Sequence, residues 1–268
     1  MSPYESAGPA LLALTQFRQG DAIVLRSGSE FGLIDTGADP DALMACLRRL
    51  GIRHLALLVL THYDADHVGA APAVSAMVGT ALVGLPDEGD ASAARLLGDL
   101  REHHADIHVA TRGDSGSLGA LRWRVIWPDR AQSGTTTSNE ASIALEIAGK
   151  GVRMAFLGDL DRKAQDALIA DGDARRADVV KVAHHGSADQ SGRLYGLIRP
   201  QLALISSGEG NGYGHPRGTA LDLLRSAGAQ LARTDLEGTV LVALREGQLA
   251  VWAERSASVE ALWTPAQR

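Results

Sequence analysis

The stretch LVLTHYDADHVGA, residues 58–70, places His62, Asp64, Asp66 and His67 directly after an apolar run. Imidazole nitrogens and carboxylate oxygens are side-chain ligands of Zn²⁺, Mn²⁺ and Fe²⁺. In a tight loop, spacings of two and one let such side chains converge from several directions, which a regular helix or strand does not allow. The competing reading is a solvated acidic turn with two chance histidines. The sequence on either side has to choose.

Working outward, apolar runs that read as strands cover residues 22–26, 31–35, 55–60, 81–85, 121–127, 143–147, 152–157, 178–183, 201–206, 229–234, 239–244 and 248–252. Segments 38–51, 91–104, 161–172, 191–198 and 217–228 read as helices. The first has Asp39 as N-cap, Pro40 at the opening helical position and Gly51 at its close. Continuous apolar strands separated by helices suggest strands buried on both faces. The more alternating runs, 121–127 and 239–252, read as outer or hairpin strands. The expected class is α/β with mixed sheets, most economically a layered α-β-β-α sandwich. Residues 1–10 read as a lead-in, 11–253 as a single domain, and 254–268 as a tail.

Polar residues collect where these strands end. Asp35-Thr36-Gly37 follows 31–34, and Gly158-Asp159 follows 152–157. His184-His185-Gly186-Ser187 follows 178–183, and SGEGNGYGHP, holding Asn211, Tyr213 and His215, follows the strand before it. In open α/β sheets ligands gather at the carboxyl ends of strands. Five strand ends loaded in this way point to one shared site, and the solvated-turn reading of 62–67 loses to a metal site.

Each residue has a rival role. Asp159 could cap the following helix; as a carboxylate from the second half it suits bridging two ions about 3.5–4 Å apart. Consecutive imidazoles at a strand end seldom serve packing. One of the pair is read as a ligand and the other as a substrate-facing acid or ligand support. His184 is taken for the ligand, with the exchange left open. GEGNGYG is not a dinucleotide loop, because the third glycine of that pattern falls on Tyr213. GDSGS (113–117) resembles a serine-protease nucleophile segment but lacks its context and reads as a loop. His54, His103, His104 and His108 read as surface or packing residues.

Composition bounds the rest. The 268 residues suit one large α/β domain. Apolar residues make up 45% but aromatics only 4%, so the core should be aliphatic. A net charge of −6 argues against a broad basic surface gripping nucleic acid, while leaving open a nucleic acid held at a metal. Cys46 has no cysteine partner and reads as a small core residue. No segment approaches about 18 uninterrupted apolar residues, and the N-terminus lacks the basic region of a signal peptide. The chain reads as soluble.

The order Asp-Thr-Gly, T-H-x-D-x-D-H, strand-Gly-Asp and strand-His resembles the metallo-β-lactamase superfamily. More narrowly, QGDAIVL, LIDTG, LTHYDADHVGA, NEASIAL, MAFLGD, VVKVAHHGS, ISSGEGNGYGHP and RTDLEGTV resemble the C-terminal hydrolase domain of the ComEC family, DNA-uptake channels of competent bacteria. The match runs from about Gln19 to Val242, and the Ala/Arg-rich composition suggests a high-GC, actinobacterial-like source. The resemblance implies a four-layer αββα fold and a metal-dependent phosphodiesterase or nuclease, proposed to degrade the DNA strand that is not imported. It implies one or two divalent ions held by His62, Asp64, Asp66, His67, Asp159 and His184, with Asp35 supporting the site. Asp64 could also act as a base. His185 or His215 would act on the leaving oxygen, and Asn139, Ser187, Asn211 and Tyr213 would contact substrate, a single strand by preference.

Departures from the family pattern matter. Asp64 stands at the second histidine of H-x-H-x-D-H, and Asn139 at another usual histidine. Both harden the site and favour Mn²⁺, with Zn²⁺ the alternative. The usual DVGQGD start reads TQFRQGD (15–21), and Ala70 replaces a frequent glycine. ComEC proteins also carry a large membrane region. As part of such a channel the domain would work at the extracytoplasmic face of the cytoplasmic membrane, and standing alone it would be cytoplasmic. The rival enzyme readings are a small-molecule phosphodiesterase, similar to phosphocholine esterases, and another hydrolase of the superfamily. A non-catalytic DNA-binding module is the rival outside enzymes.

Overall fold

The computed structural model describes residues 12–14, 20–87, 89–129, 138–245, 247–255 and 260–263. Its strands are β1 (Leu12–Leu14), β2 (Ile23–Ser27), β3 (Glu30–Ile34), β4 (Leu55–Leu60), β5 (Val78–Val83) and β6 (Asp106–Val109). They continue with β7 (Ser115–Leu118), β8 (Leu121–Trp127), β9 (Ala144–Gly149), β10 (Val152–Phe156), β11 (Val179–Lys181), β12 (Leu202–Ile205) and β13 (Gln230–Arg233). Last come β14 (Val240–Arg245), β15 (Gln248–Ala253) and β16 (Glu260–Trp263). The helices are α1 (Pro40–Arg49), α2 (Ala65–Val68), α3 (Ala91–Glu102), α4 (Arg162–Ala170), α5 (Gly192–Ile198), α6 (Gly218–Ser226) and α7 (Thr234–Glu237).

Two mixed sheets result. One has the order β16-β15-β14-β1-β2-β3-β4-β5-β6, the other β13-β12-β11-β10-β9-β8-β7. Strands β3 to β6 run parallel in the first, and β10 to β13 run parallel in the second. The period-2 alternation of a strand explains how the layers form. In β4, Leu57 and Val59 enter the core shared with Val125, Leu145, Met154 and Phe156 of the second sheet. Leu58 and Leu60 point the other way and pack beneath α1 and α3 with Leu43, Leu47 and Leu97. In β10, Met154 and Phe156 face the shared core, while Ala155 faces Leu168, Leu194 and Leu224 of the helices outside the second sheet. The fold is the expected αββα sandwich.

Local signals hold. Asp39 caps α1 by accepting from the amides of Asp41 and Ala42, Pro40 opens the helix, and Gly51 lies just past its end. β5 begins three residues before the expected 81–85. The GDSGS segment, expected as a loop, instead contributes to β7, antiparallel to β8. It and β6 are edge strands, largely exposed, so no apolar alternation announces them. The expected lead-in 1–10 lies outside the described residues. Within the expected tail, residues 260–263 form β16 against β15. Among the described residues no helix is long and apolar enough to cross a membrane.

Candidate metal centre

The carboxyl ends of the two parallel strand runs meet, and the Ile143 amide donates to the Thr61 carbonyl across the seam (2.9 Å). From β4 come His62 and, through the single-turn helix α2, Asp66 and His67. From β10 comes Asp159, and from β11 the turn His184-His185-Gly186. Four overlapping groups hold ligand atoms within 4.8 Å of one another: His62, His67 and Asp159; Asp66, His67 and His185; Asp21, Asp159 and His185; and Asp21, Asp35 and His67.

The hydrogen bonds decide which imidazole nitrogen faces inward. His67 Nδ1 donates to Asp35 Oδ2 (2.8 Å) and His185 Nδ1 donates to the Ser206 carbonyl (2.9 Å). Asp35 is wholly buried and also accepts from the Thr61 amide and hydroxyl, each at 2.7 Å. With its proton given to Asp35, the Thr61 hydroxyl accepts from His62 Nδ1 (3.1 Å), and Ser142 Oγ lies 3.3 Å from the same nitrogen. Each of the three rings is thereby fixed by Nδ1 and turns its Nε2 to the centre, the orientation metal-bound histidines adopt. His67 Nε2 lies 3.4 Å from Asp159 Oδ2 and 3.3 Å from His185 Nε2. His185 Nε2 is 3.4 Å from Asp66 Oδ2 and 3.3 Å from Asp159 Oδ2.

Two observations test whether a cation fits. Among the described residues, buried His62 Nε2 and Asp159 Oδ1 have no hydrogen-bond partner, although buried polar atoms are nearly always satisfied. Asp35, His184 and His185 also hold left-handed φ values of 54°, 46° and 52°, each costing on the order of 1–3 kcal/mol and typical of functional sites. Three imidazole nitrogens and two carboxylates closing on such atoms are the donor set of a divalent transition metal. The residues fit.

Charge points the same way. Burial works against imidazolium at His67, but Asp159 and Asp35 outweigh it and hold the pKa well above the ordinary value. At His185 burial is likewise outweighed, by Asp159 and Asp21. Burial would raise Asp159, yet His185 and His67 keep it well below the carboxylate range. Asp64 sits at the rim with its side chain half exposed, its Oδ2 3.5 Å from His62 Nε2. Its pKa is lowered, chiefly by the neighbouring His62 ring.

His184, the expected ligand, stands apart from all four groups. Its side chain is 31% exposed against 2% for His185, and its Nε2 is 4.0 Å from Asp159 Oδ2. Successive left-handed residues abolish the strand alternation, so the two rings diverge, His185 inward and His184 outward. His184 lines a cleft of about 710 Å³ together with Asn139, Ser187, His215, Arg217, Asp161 and Asp189. Here burial, then the nearby His184, His185 and Arg217, push His215 down to about 4, so it is a neutral imidazole near pH 7. Asn211, expected to contact substrate, is fully engaged in its own loop. Its Nδ2 donates to the His215 carbonyl (2.6 Å) and its Oδ1 accepts from the His215 amide (3.0 Å). Tyr213 is 65% exposed beside the cleft.

Two side chains absent from the sequence-based list complete the inner wall. Lys181 and Asp21, about 1% exposed, form an ion pair, and the Lys181 ammonium also donates to the Val182 carbonyl (3.0 Å). Asp21 Oδ1 lies 3.4 Å from His185 Nδ1. Burial raises the Asp21 pKa, but Lys181 and His185 prevail and lower it. A lone lysine inside the apolar run DVVKVA was the available signal, since a buried ammonium requires an anionic partner. Gly20 brings Asp21 into place. With φ +102° it lies so close to the Asp66 carbonyl that a Cβ would stand 1.8 Å away, which explains the Gly-Asp pair. Gly186 likewise lets the histidine turn rest on Pro216, 2.7 Å from where its Cβ would be, and its carbonyl accepts from the Arg217 amide (2.8 Å).

The family model described as Metallo-beta-lactamase superfamily matches residues 15–203. ComE operon protein 3 of Bacillus subtilis is 28% identical over 250 residues, covering 83% of this chain and 31% of its own length. Competence protein ComA of Neisseria gonorrhoeae is 28% identical over 234 residues, covering 85% and 31%. The chain thus spans about a third of the length of the curated relatives it matches. Among solved structures, the metallo-beta-lactamase fold protein YhfI from Bacillus subtilis aligns with a TM-score of 0.55 at 13% identity, over 83% of this chain and 95% of that one. At that identity the likeness concerns the fold.

Proposed function

Because this chain belongs to the metallo-β-lactamase superfamily, we propose that it is a metal-dependent phosphodiesterase that cleaves DNA, preferring single strands, in competence-type DNA uptake. The coarser part, a metal-dependent hydrolase of this fold related to competence proteins, is carried by the family match and the relatives. The finer part rests on one observation. A convergent His/Asp centre opens onto a cleft whose donors, His184, Ser187, His215 and Arg217, suit phosphate oxygens. The domain would then serve the membrane channel of a ComEC-like protein, at the outer face of the cytoplasmic membrane, degrading the strand left behind.

Residue roles follow from position. His62, Asp66, His67, Asp159 and His185 would hold one or two divalent ions, with Asp64 as a rim ligand. Asp159 groups with His62 on one side and His185 on the other and would serve both. Such ions supply Lewis acidity toward phosphoryl oxygens and an acidified water. Asp64 and Asn139, standing where the family pattern has histidines, favour Mn²⁺, with Zn²⁺ the alternative. Asp35 and Thr61 orient the imidazoles. Asp64, ionised and half exposed, can take a proton at Oδ2. His184 and neutral His215 donate hydrogen bonds to the phosphate or leaving oxygen, and Ser187 and Asn139 border the same space. His185 is withdrawn from acid catalysis, because both its nitrogens are committed.

The test is hydrolysis of fluorescent single- and double-stranded DNA by metal-stripped protein resupplied with Mn²⁺, Zn²⁺ or Mg²⁺, beside Asp66→Ala. The reading expects ion-dependent cleavage that the variant loses. Bound ion without cleavage of any DNA would overturn it and favour a small phosphodiester as substrate.

A further inference from the structure

We propose that Tyr213 is a base-stacking platform, and that its ring makes the site select phosphodiesters that carry bases. This rests on the phosphodiesterase reading above and names how the substrate is told apart from a bare phosphate chain.

The loop 208–217 is firmly built, yet its one aromatic ring is left uncovered. Asn211 ties the loop to itself through Ser207 Oγ (3.0 Å), the Gly208 carbonyl (2.9 Å) and both backbone groups of His215. Arg217 Nη2 donates to the Tyr213 carbonyl (2.8 Å), and the Arg217 amide donates to Gly186 of the histidine turn. Tyr213 nonetheless stays 65% exposed, in a chain with only 4% aromatic residues. Rigid backbone beneath an uncovered ring is the arrangement that stacking requires, since the ring loses little freedom when a flat partner covers it.

The position of the ring matters as much as its exposure. Its centroid is 6.1 Å from that of His215, which is 5.5 Å from that of His184. His184 in turn lies 6.2 Å from His185, a member of the ligand cluster. Neighbouring rings therefore connect exposed Tyr213 to the centre, and two of them, His215 and His184, line the cleft. A strand whose scissile phosphate reaches the centre would leave an adjacent phosphate near His184, Ser187 and Arg217, and a base beside Tyr213. The cleft, about 710 Å³, has room for a nucleotide unit. With a net charge of −6, the protein has little general attraction for a polyanion, so stacking supplies affinity that charge does not.

The experiment compares a fluorescently labelled single-stranded oligothymidylate with one of equal length whose positions are all abasic spacers, by kcat/KM and by binding anisotropy. Wild type should favour the base-bearing strand by about 5- to 150-fold, the worth of one stacked base. Tyr213→Ala should bring that ratio close to one, chiefly through KM, with an unchanged urea midpoint. Tyr213→Phe should keep it. A ratio that survives Tyr213→Ala, or a wild type that cleaves both strands equally, overturns the stacking role and leaves the nuclease reading intact. Cleavage of neither strand overturns the nuclease reading and the stacking role with it.

Discussion

His184 and His185 are neighbours in the chain, yet they belong to two different walls of the site. His185 sits in a dry wall with the Asp21–Lys181 ion pair and the Ser206 carbonyl, which accepts from its Nδ1. His184 belongs to an open wall shared with His215, Ser187 and Arg217, where donors face a cleft. The dry wall fixes geometry before substrate arrives. The open wall keeps hydrogen-bonding capacity for something that comes and goes.

The comparison can be broken most severely at Lys181. Lys181→Met should cost about 3–5 kcal/mol, because it leaves Asp21 charged and buried without a partner. Adding Asp21→Asn should recover much of the loss. Urea midpoints of the two single variants and the double variant measure this, and additive losses would mean that the pair is not coupled.

Exchanging the two histidines is the next test. His185→Ala should lower bound metal and reduce turnover at least about a hundredfold, since even residues that only orient a ligand are worth about 10–100-fold. His184→Ala should keep its metal content, read by elemental analysis, and lose activity alone. The reverse pattern would restore His184 as the ligand. Asp35→Asn, which removes the anion behind His67 but keeps its shape, should weaken metal binding about 10–100-fold, measured by competition with a chromophoric chelator.

Acidity gives the mildest perturbation. His67 and His185 have pKa values raised above 6.5, so their protons stabilise the metal-stripped fold fully below 6.5, and this is lost as pH rises through the raised values. Asp159, lowered from 3.8, contributes fully above that value, and this is lost in acid. Metal-stripped protein should therefore be most stable between about pH 4 and 6.5. Ion affinity should rise with pH, because an ion must displace the two imidazole protons. Denaturation midpoints across pH, with and without Mn²⁺, would reveal opposite slopes.

How much of this was legible divides along the same walls. The first-sheet residues lie together in 62–67, so the stretch announces itself, and Asp35 and Asp159 follow recognisable strand ends. Central strands such as β4 and β12, apolar throughout, were equally plain. The Asp21–Lys181 pair joins positions far apart in the chain; the lone lysine in its apolar run signals that an anion lies near, but no local pattern says which. The roles of His184 and His185 were undecidable from spacing, because strand alternation stops where the backbone turns left-handed. Asn211 carries the right chemistry for phosphate, but loop closure claims it first. The edge strands β6 and β7 bury too little to leave an apolar rhythm.

The seam between the sheets has a mechanical consequence. His62, Asp66 and His67 hang from one sheet and Asp159 and His185 from the other, so an ion gripping both sets would act as a removable rivet. Chelation should loosen that end of the sandwich first, opening the segments around His67 and Gly186 to hydrogen exchange while the opposite end, away from the rivet, stays closed.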